Sequence, residues 1–182
     1  AIPLIRGSFK SRKMEDILEE VQLQAKQGIK EFCVISQDTS KYGKDIYGEL
    51  KLAELLDKMS NIEGVKWIRV LYMYLFETND ELIKQMSKNK KVCNYFDIPI
   101  QHISDKMLKA MNRHDTKKII YNRIKKIRQM VPDAILRTTL IAGFPGETDE
   151  DFEELLDSIK ELEFDRLGAF AFSKEEDTKA YN

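Results

Sequence analysis

Several residue groups in the chain have side chains and spacings capable of chemistry. Gly143-Phe144-Pro145-Gly146-Glu147 sets glycines where a sharp turn or a close backbone approach would precede a helix N-terminus. Unpaired N–H groups there can receive an anion or a polar ligand edge. No Gly-Lys-Ser/Thr follows, so this is not a Walker loop, and as a lone motif it fits a structural turn equally well. Gln37-Asp38-Thr39 with Tyr42-Gly43, then Tyr72 and Tyr74, Gln101-His102 and Ser173 supply polar or aromatic groups at intervals along the chain. Other catalytic templates are missing. Neither His102 nor His114 belongs to an H-E-x-x-H pair, no G-x-S-x-G elbow occurs, and no lysine stands where a Schiff base would be expected. His102 reads either as a general base or as a hydrogen-bonded loop histidine. The 2 cysteines, Cys33 and Cys93, lie outside any C-x-x-C spacing. They carry neither a disulfide framework nor a metal site, and are expected to be small buried apolar residues.

The elements that must position these groups follow from periodicity. Apolar residues at 3–4 spacing predict helices over residues 14–27, 50–60, 79–89, 104–112, 116–131 and 148–163. Gly28 suits the position just past the first, and Pro132 ends the fifth. Thr148-Asp149-Glu150-Asp151 opens the last as a capping-box-like start, with acids where the helix dipole favours them. Short β-branched or aromatic runs predict strands over 31–36, 66–74, 95–100, 135–141 and 167–172. Strands alternating with helices imply parallel pairing through right-handed crossovers, hence a (β/α) barrel or an open doubly wound sheet. In such folds ligands bind at the C-terminal ends of strands, where the polar groups named above fall.

Period-2 alternation favours the barrel. Leu136 and Leu140 share one face of their strand, as a helix-covered side needs, and Arg137 and Thr139 share the other. The same reasoning puts Arg69, Asp97 and Gln101 with Arg137 on one polar face, whereas a sheet covered by helices on both sides would read as continuous aliphatic runs. Buried charges need partners or a ligand. That face is therefore either a self-satisfied ion network or a lumen holding a polar cofactor. Truncating Leu140 should cost fold stability, and truncating Arg137 should cost ligand handling. Too few strands are present to close an eight-stranded barrel, so the barrel is expected to be partial.

Composition sets the outer bounds. With 182 residues, 30 Lys+Arg against 31 Asp+Glu and 42% hydrophobic residues, the chain is one α/β-sized domain with an ample core. A net charge of −1 gives no global reason to expect nucleic-acid or membrane binding. No apolar run approaches the about 18 residues of a membrane span. The N-terminus lacks the pattern of a signal peptide, so a cytoplasmic setting is expected. The absence of an initiator Met fits a processed chain or an excised domain. Arg113, Lys117, Lys118, Arg123, Lys125, Lys126 and Arg128 make one helix basic, and the next helix is acidic. A solvated pairing of the two is expected before an RNA-binding face.

The strings themselves resemble a known family. Ala1-Ile2-Pro3-Leu4-Ile5-Arg6-Gly7 with Ser11-Arg12, Ser36-Gln37-Asp38-Thr39-Ser40-Lys41-Tyr42-Gly43, Asp97-Ile98-Pro99-Ile100-Gln101-His102-Ile103-Ser104-Asp105, Leu136-Arg137-Thr138-Thr139, Gly143-Phe144-Pro145-Gly146-Glu147-Thr148 and Phe164-Asp165-Arg166-Leu167-Gly168 resemble the radical S-adenosylmethionine (SAM) core of the methylthiotransferases, across essentially the whole chain. The Gln-Asp-Thr and Gln-His-Ile-Ser-Asp strings resemble the branch that modifies a ribosomal protein rather than the tRNA-modifying branch. Leu75 stands where that branch has Pro, and Asp177 where it has Gly.

The resemblance implies an α/β fold: a partial (β/α) TIM-like barrel over residues 1–182, five strands of a six-strand core lacking its first strand and cluster loop. It implies SAM and two 4Fe-4S clusters in the parent protein. The C-x-x-x-C-x-x-C cluster ligands would end just before Ala1, and the N-terminal methylthiotransferase domain and C-terminal TRAM domain would lie outside this chain. The fragment is expected to be inactive alone, with no metal ligands of its own. The implied reaction of the parent is methylthiolation of the β-carbon of an aspartate in the twelfth protein of the small ribosomal subunit. One SAM would donate methyl to cluster-bound sulfur, and another would be cleaved to a 5′-deoxyadenosyl radical that abstracts hydrogen. A flavodoxin or ferredoxin would be the reductant, and nucleic acid could be contacted through the TRAM domain.

Strand-end placement and the motifs together put Gln37, Asp38, Gln101 and Arg137 on polar contacts with SAM, and Gly143 and Phe172 near its adenosine. Tyr42, Tyr74 and His102 are expected at the substrate mouth, with local packing as the equal alternative. The alternatives at this level are a tRNA methylthiotransferase, a non-catalytic binding module and a phosphate-binding barrel enzyme.

Overall fold

The computed structural model describes residues 7–176, 178 and 180. The 1–6 string and Asp177, used above, lie outside the described residues. In chain order the elements are α1 (Met14–Lys26), β1 (Glu31–Val34), a 3-10 turn (Thr39–Lys41), α2 (Lys44–Tyr47), α3 (Leu52–Ser60), β2 (Trp67–Val70), α4 (Asp80–Lys88), β3 (Tyr95–Asp97), α5 (Asp105–Ala110), α6 (Lys117–Met130), β4 (Ile135–Ala142), α7 (Asp149–Leu162) and β5 (Arg166–Ala171). Each predicted helix is present. The short α2 and the 3-10 turn escaped the periodicity because neither is long enough to show one.

The helix ends follow local chemistry. Asn79 accepts the Leu82 N–H at 2.9 Å at the start of α4, and Thr116 accepts the Ile119 N–H at 3.3 Å at the start of α6. Thr148 and Asp151 form the expected capping box on α7. Each such cap contributes about 1 kcal/mol by satisfying N–H groups that the helix itself cannot.

All strands run parallel. β1 pairs with β2 from Glu31↔Trp67 to Val34↔Val70, and β4 lies between β3 and β5. The Ile68↔Val92 bridge joins the two sheets, with Ile68 N–H donating to Lys91 O at 2.7 Å and Cys93 N–H to Ile68 O at 2.8 Å. The strands thus follow one another in chain order, and β1 and β5 do not pair to close the sheet. One face carries the core: Phe32, Ile68, Val70, Phe96, Leu136 and Leu140 pack against Leu55, Leu56, Ile83, Met86, Ile120, Ile124 and Leu155 of the helices. At about 25 cal/mol per Å² of apolar surface, this burial is the main favourable term in folding.

Three strands are shorter than predicted: β1, which stops at Val34, β2 and β3. β2 stops at Val70 because Tyr72 adopts a left-handed backbone with φ 57°, which turns the chain out of the ladder. β3 stops at Asp97, two residues before Pro99, which has no N–H to donate. The cysteines also depart from expectation. Cys33 is exposed and Cys93 half-buried: alternation carries Cys33 onto the polar side of β1, and Cys93 lies in the segment before β3 rather than in the core. Among the described residues no helix is long and apolar enough to cross a membrane.

Candidate functional site

Burial along β4 alternates as the leucines require: Leu136, Thr138 and Leu140 are buried, and Arg137, Thr139 and Ile141 are only half-buried on the opposite face. The register sets Asp97 beside Arg137 and Arg137 beside Arg166. Arg137 Nη1 donates to Asp97 Oδ1 at 2.7 Å, and the Tyr72 N–H donates to Asp97 Oδ2 at 3.2 Å. Asp97 is 1% exposed, whereas the Arg137 side chain is 36% exposed. One end of this ion pair is therefore held inside the protein and the other remains open to a ligand. The hydrogen bond to Asp97 raises the pKa of Arg137, so its charge is permanent. Nearer the N-terminal ends of the strands, Arg69 Nε donates to Glu31 Oε1 at 2.9 Å, and its guanidinium stands 5.0 Å from the centre of the Tyr95 ring. Register sets Cys33 beside Arg69.

At the C-terminal ends of β3 and β4 the backbone is strained. Gln101 has φ 68°, a conformation that costs a non-glycine residue about 1 kcal/mol or more and concentrates at functional sites. Its N–H donates to Thr139 O and its carbonyl accepts from Ile141, both within 2.9 Å, so the kink is held by β4. Its Oε1 is buried with no hydrogen-bond partner, a free acceptor facing no protein donor. The Gly143 turn follows β4. Glu147 Oε2 accepts the N–H groups of both Gly143 (2.7 Å) and Phe144 (3.0 Å). Phe144 meets Phe172 edge to face, with ring centres 5.0 Å apart. Arg137, Gln101, Gly143 and Phe172 thus belong to one side of the site, built by β3, β4 and β5.

The remaining predicted residues sit elsewhere. Gln37 is exposed beyond β1. Asp38 is buried at 6% exposure; Ser40 Oγ donates to its Oδ1 at 2.5 Å, and Lys41 Nζ lies 3.4 Å from its Oδ2. Thr39 Oγ1 donates to Leu71 O, and Ser40 Oγ accepts the Tyr74 N–H at 3.0 Å. This string therefore stitches the ends of β1 and β2 together. The Arg113 guanidinium stacks 4.3 Å from the centre of the Tyr74 ring, leaving Tyr74 half-buried.

Two residues expected at the substrate mouth are buried instead. Tyr42 is 8% exposed and donates to Arg12 O at 3.0 Å, and His102 is 0% exposed. Packing explains both: Tyr42 anchors the segment before α1, and His102 lies beneath the Gly143 turn. Three contributors went unrecognised in the sequence. Glu147 carried a signal in its acceptor position four residues after Gly143. Asp115, buried with no hydrogen-bond partner on its Oδ1, carried none, nor did the Ser11–Asp45 contact (2.7 Å), which joins residues distant in the chain. The basic α6 pairs with the acidic α7 through Lys117 and Glu154 at 2.8 Å, as expected, but Arg123 and Lys126 turn instead to Asp80 at the start of α4, at 2.9 and 2.6 Å.

A parallel α/β sheet with its polar groups gathered on one face and at the strand ends invites comparison with known proteins. Residues 2–159 match the family described as the Radical SAM superfamily. The chain belongs to the radical SAM superfamily. Its sequence is 58% identical over 180 residues to the ribosomal protein uS12 methylthiotransferase RimO of Alkaliphilus oremlandii, covering 99% of this chain and 41% of the relative. The like-named proteins of Clostridioides difficile (55% identity, 98% and 40% coverage) and Acetivibrio thermocellus (53%, 100% and 40%) are similar to it as well. The chain thus spans about two fifths of the length of these relatives. Among solved structures, the radical S-adenosylmethionine methyltransferase TsrM of Kitasatospora setae, with cobalamin and a [4Fe-4S] cluster bound, superposes with a TM-score of 0.66 at 15% identity, over 90% of this chain and 30% of that one. This likeness shows the α/β fold with parallel strands. Among the described residues no group of three or more His, Cys, Asp or Glu is arranged to hold a metal ion.

Proposed function

We propose that this chain is the SAM-handling core of a methylthiotransferase acting on the β-carbon of an aspartate in ribosomal protein uS12, and that its strands form part of a (β/α) barrel. The observation that carries the reading is identity of 53–58% to uS12 methylthiotransferases over nearly every residue of the chain. The polar face supports it. SAM brings a carboxylate, an amino group, a ribose and an adenine, and the residues present fit such a ligand: Arg137 offers an exposed guanidinium and Gln101 a buried acceptor without a partner. When bound, SAM and an iron–sulfur cluster supply the methyl-donating and hydrogen-abstracting chemistry.

The protein's own residues orient and insulate. Asp97 fixes the direction of the Arg137 guanidinium, Glu147 shapes the turn beside the site, and the Phe144–Phe172 contact ties that turn to the segment after β5. Asp38 and Tyr74 act on this reading by holding the strand ends, with Gln37 left free at the rim. A flavodoxin or ferredoxin as electron donor and a cytoplasmic setting belong to the same proposal.

Deleting the gene in its host and weighing uS12 tests the reading. The expected result is loss of one methylthio group from uS12 with tRNA adenosine methylthiolation unchanged. Loss from tRNA with uS12 unaltered would overturn it in favour of the tRNA reaction.

A further inference from the structure

We propose that His102 is a positioning residue that holds the Gly143–Phe144 turn in place by acting through Glu147. His102 is 0% exposed, and the Ser104 N–H donates to its Nδ1 at 3.1 Å. A ring nitrogen that accepts carries no proton, so the neutral imidazole bears its hydrogen on Nε2. That Nε2 is buried with no hydrogen-bond partner, and the acidic group facing it is Glu147 Oε1 at 3.9 Å. The Glu147 side chain is itself only 7% exposed, and its other oxygen accepts both turn amides. A carboxylate withdrawn from water this far needs donors around it. The two turn amides meet one oxygen, and the imidazole Nε2 stands 3.9 Å from the other. In a buried site a charge and an N–H dipole attract each other beyond hydrogen-bond length.

A second tie lies alongside. Ser104 Oγ donates to Asp151 Oδ1 at 2.7 Å, and Lys106 Nζ pairs with Asp151 Oδ2 at 2.5 Å. These contacts secure the start of α7 to the start of α5. The His102–Glu147 contact differs in reaching the turn itself, next to the strained Gln101. If the face receives SAM, as proposed above, His102 sets where the turn stands against that ligand; the consequence for SAM rests on that reading, and the clamp does not.

The test compares two substitutions in the intact protein. His102→Asn keeps a polar atom where Nδ1 meets the Ser104 N–H but cannot extend to Glu147. His102→Gln reaches the Nε2 position with an N–H donor. Deuterium exchange of the peptide spanning 142–147 is the primary readout, with thermal unfolding to establish that both variants fold. The expected result is exchange about tenfold faster in His102→Asn, the mark of a local opening, with His102→Gln close to the parent. Parent-like exchange in His102→Asn with faster exchange in His102→Gln would overturn the proposal, leaving a purely local role through Ser104, as would no change in either variant. Equilibrium binding of SAM separates the two readings. A several-fold weaker Kd in His102→Asn alone supports both, whereas faster exchange with unchanged SAM binding supports the clamp and counts against SAM at this turn.

Discussion

Arg137 and Asp97 form a hydrogen-bonded ion pair of 2.7 Å between adjacent parallel strands, and the two members differ sharply in burial. Asp97 sits 1% exposed with Arg137 and the Tyr72 N–H as its hydrogen-bond donors, while Arg137 reaches the open face. The pair therefore serves both readings of the polar face. It satisfies itself, and it still presents a cation.

This geometry changes the expectation for Arg137→Leu. Alternation alone suggests a variant that spares the fold, but the structure leaves Asp97 as a buried carboxylate without its cation. The substitution should cost about 3 kcal/mol, the low end for breaking a buried pair, since Arg137 is partly solvated. Asp97→Asn in the same background should recover much of the loss, and urea unfolding of the single and double variants measures both. Leu140, 2% exposed on the helix face, should lose about 2–5 kcal/mol on truncation to Ala by cavity formation. No second substitution at Asp97 should rescue it.

Gly43 has φ +87°, and a Cβ there would stand 2.7 Å from Lys51 Cβ and 3.1 Å from the Tyr47 ring. Its N–H donates to Ser11 Oγ at 3.0 Å, beside the contact of Met14 N–H with the Tyr47 hydroxyl at 2.8 Å. Gly43→Ala should therefore destabilise by about 1–3 kcal/mol through strain and loosen the segment before α1. Thermal unfolding reads the first effect. Faster amide exchange at residues 9–14 reads the second.

Asp115 is 6% exposed and its Oδ1 has no hydrogen-bond partner. Burial raises its carboxyl pKa above the ordinary 3.8, against the opposing pull of Arg113 and His114. A raised carboxylate pKa stabilises the fold at low pH, and that contribution is lost as pH rises through the folded value. Asp115→Asn should thus stabilise the protein at neutral pH. The advantage should shrink on acidification and vanish below about 3.8, where folded and unfolded chains are both protonated. Unfolding measured from pH 3 to 8 should show this convergence, and a gain independent of pH would contradict the assigned cause.

The sequence by itself determined the order of helices and parallel strands, because apolar spacing decides which face of each element leaves water. It also determined that Arg137, Asp97 and Arg69 face away from Leu136 and Leu140, since side chains on a strand alternate whatever surrounds them. The Thr148–Asp151 cap was legible for the same local reason. Only the tertiary structure decided how these groups meet. Asp97 with Arg137 is a matter of register between strands 40 residues apart, and His102 with Glu147 depends on two loops closing over one another. Tyr42 and His102 have the polar tips of mouth residues and are buried, because their partners, Arg12 and Glu147, arrive from other parts of the fold. Cys33 has apolar character and lies on the polar face of β1, because alternation along a strand overrides a residue's own preference for the core.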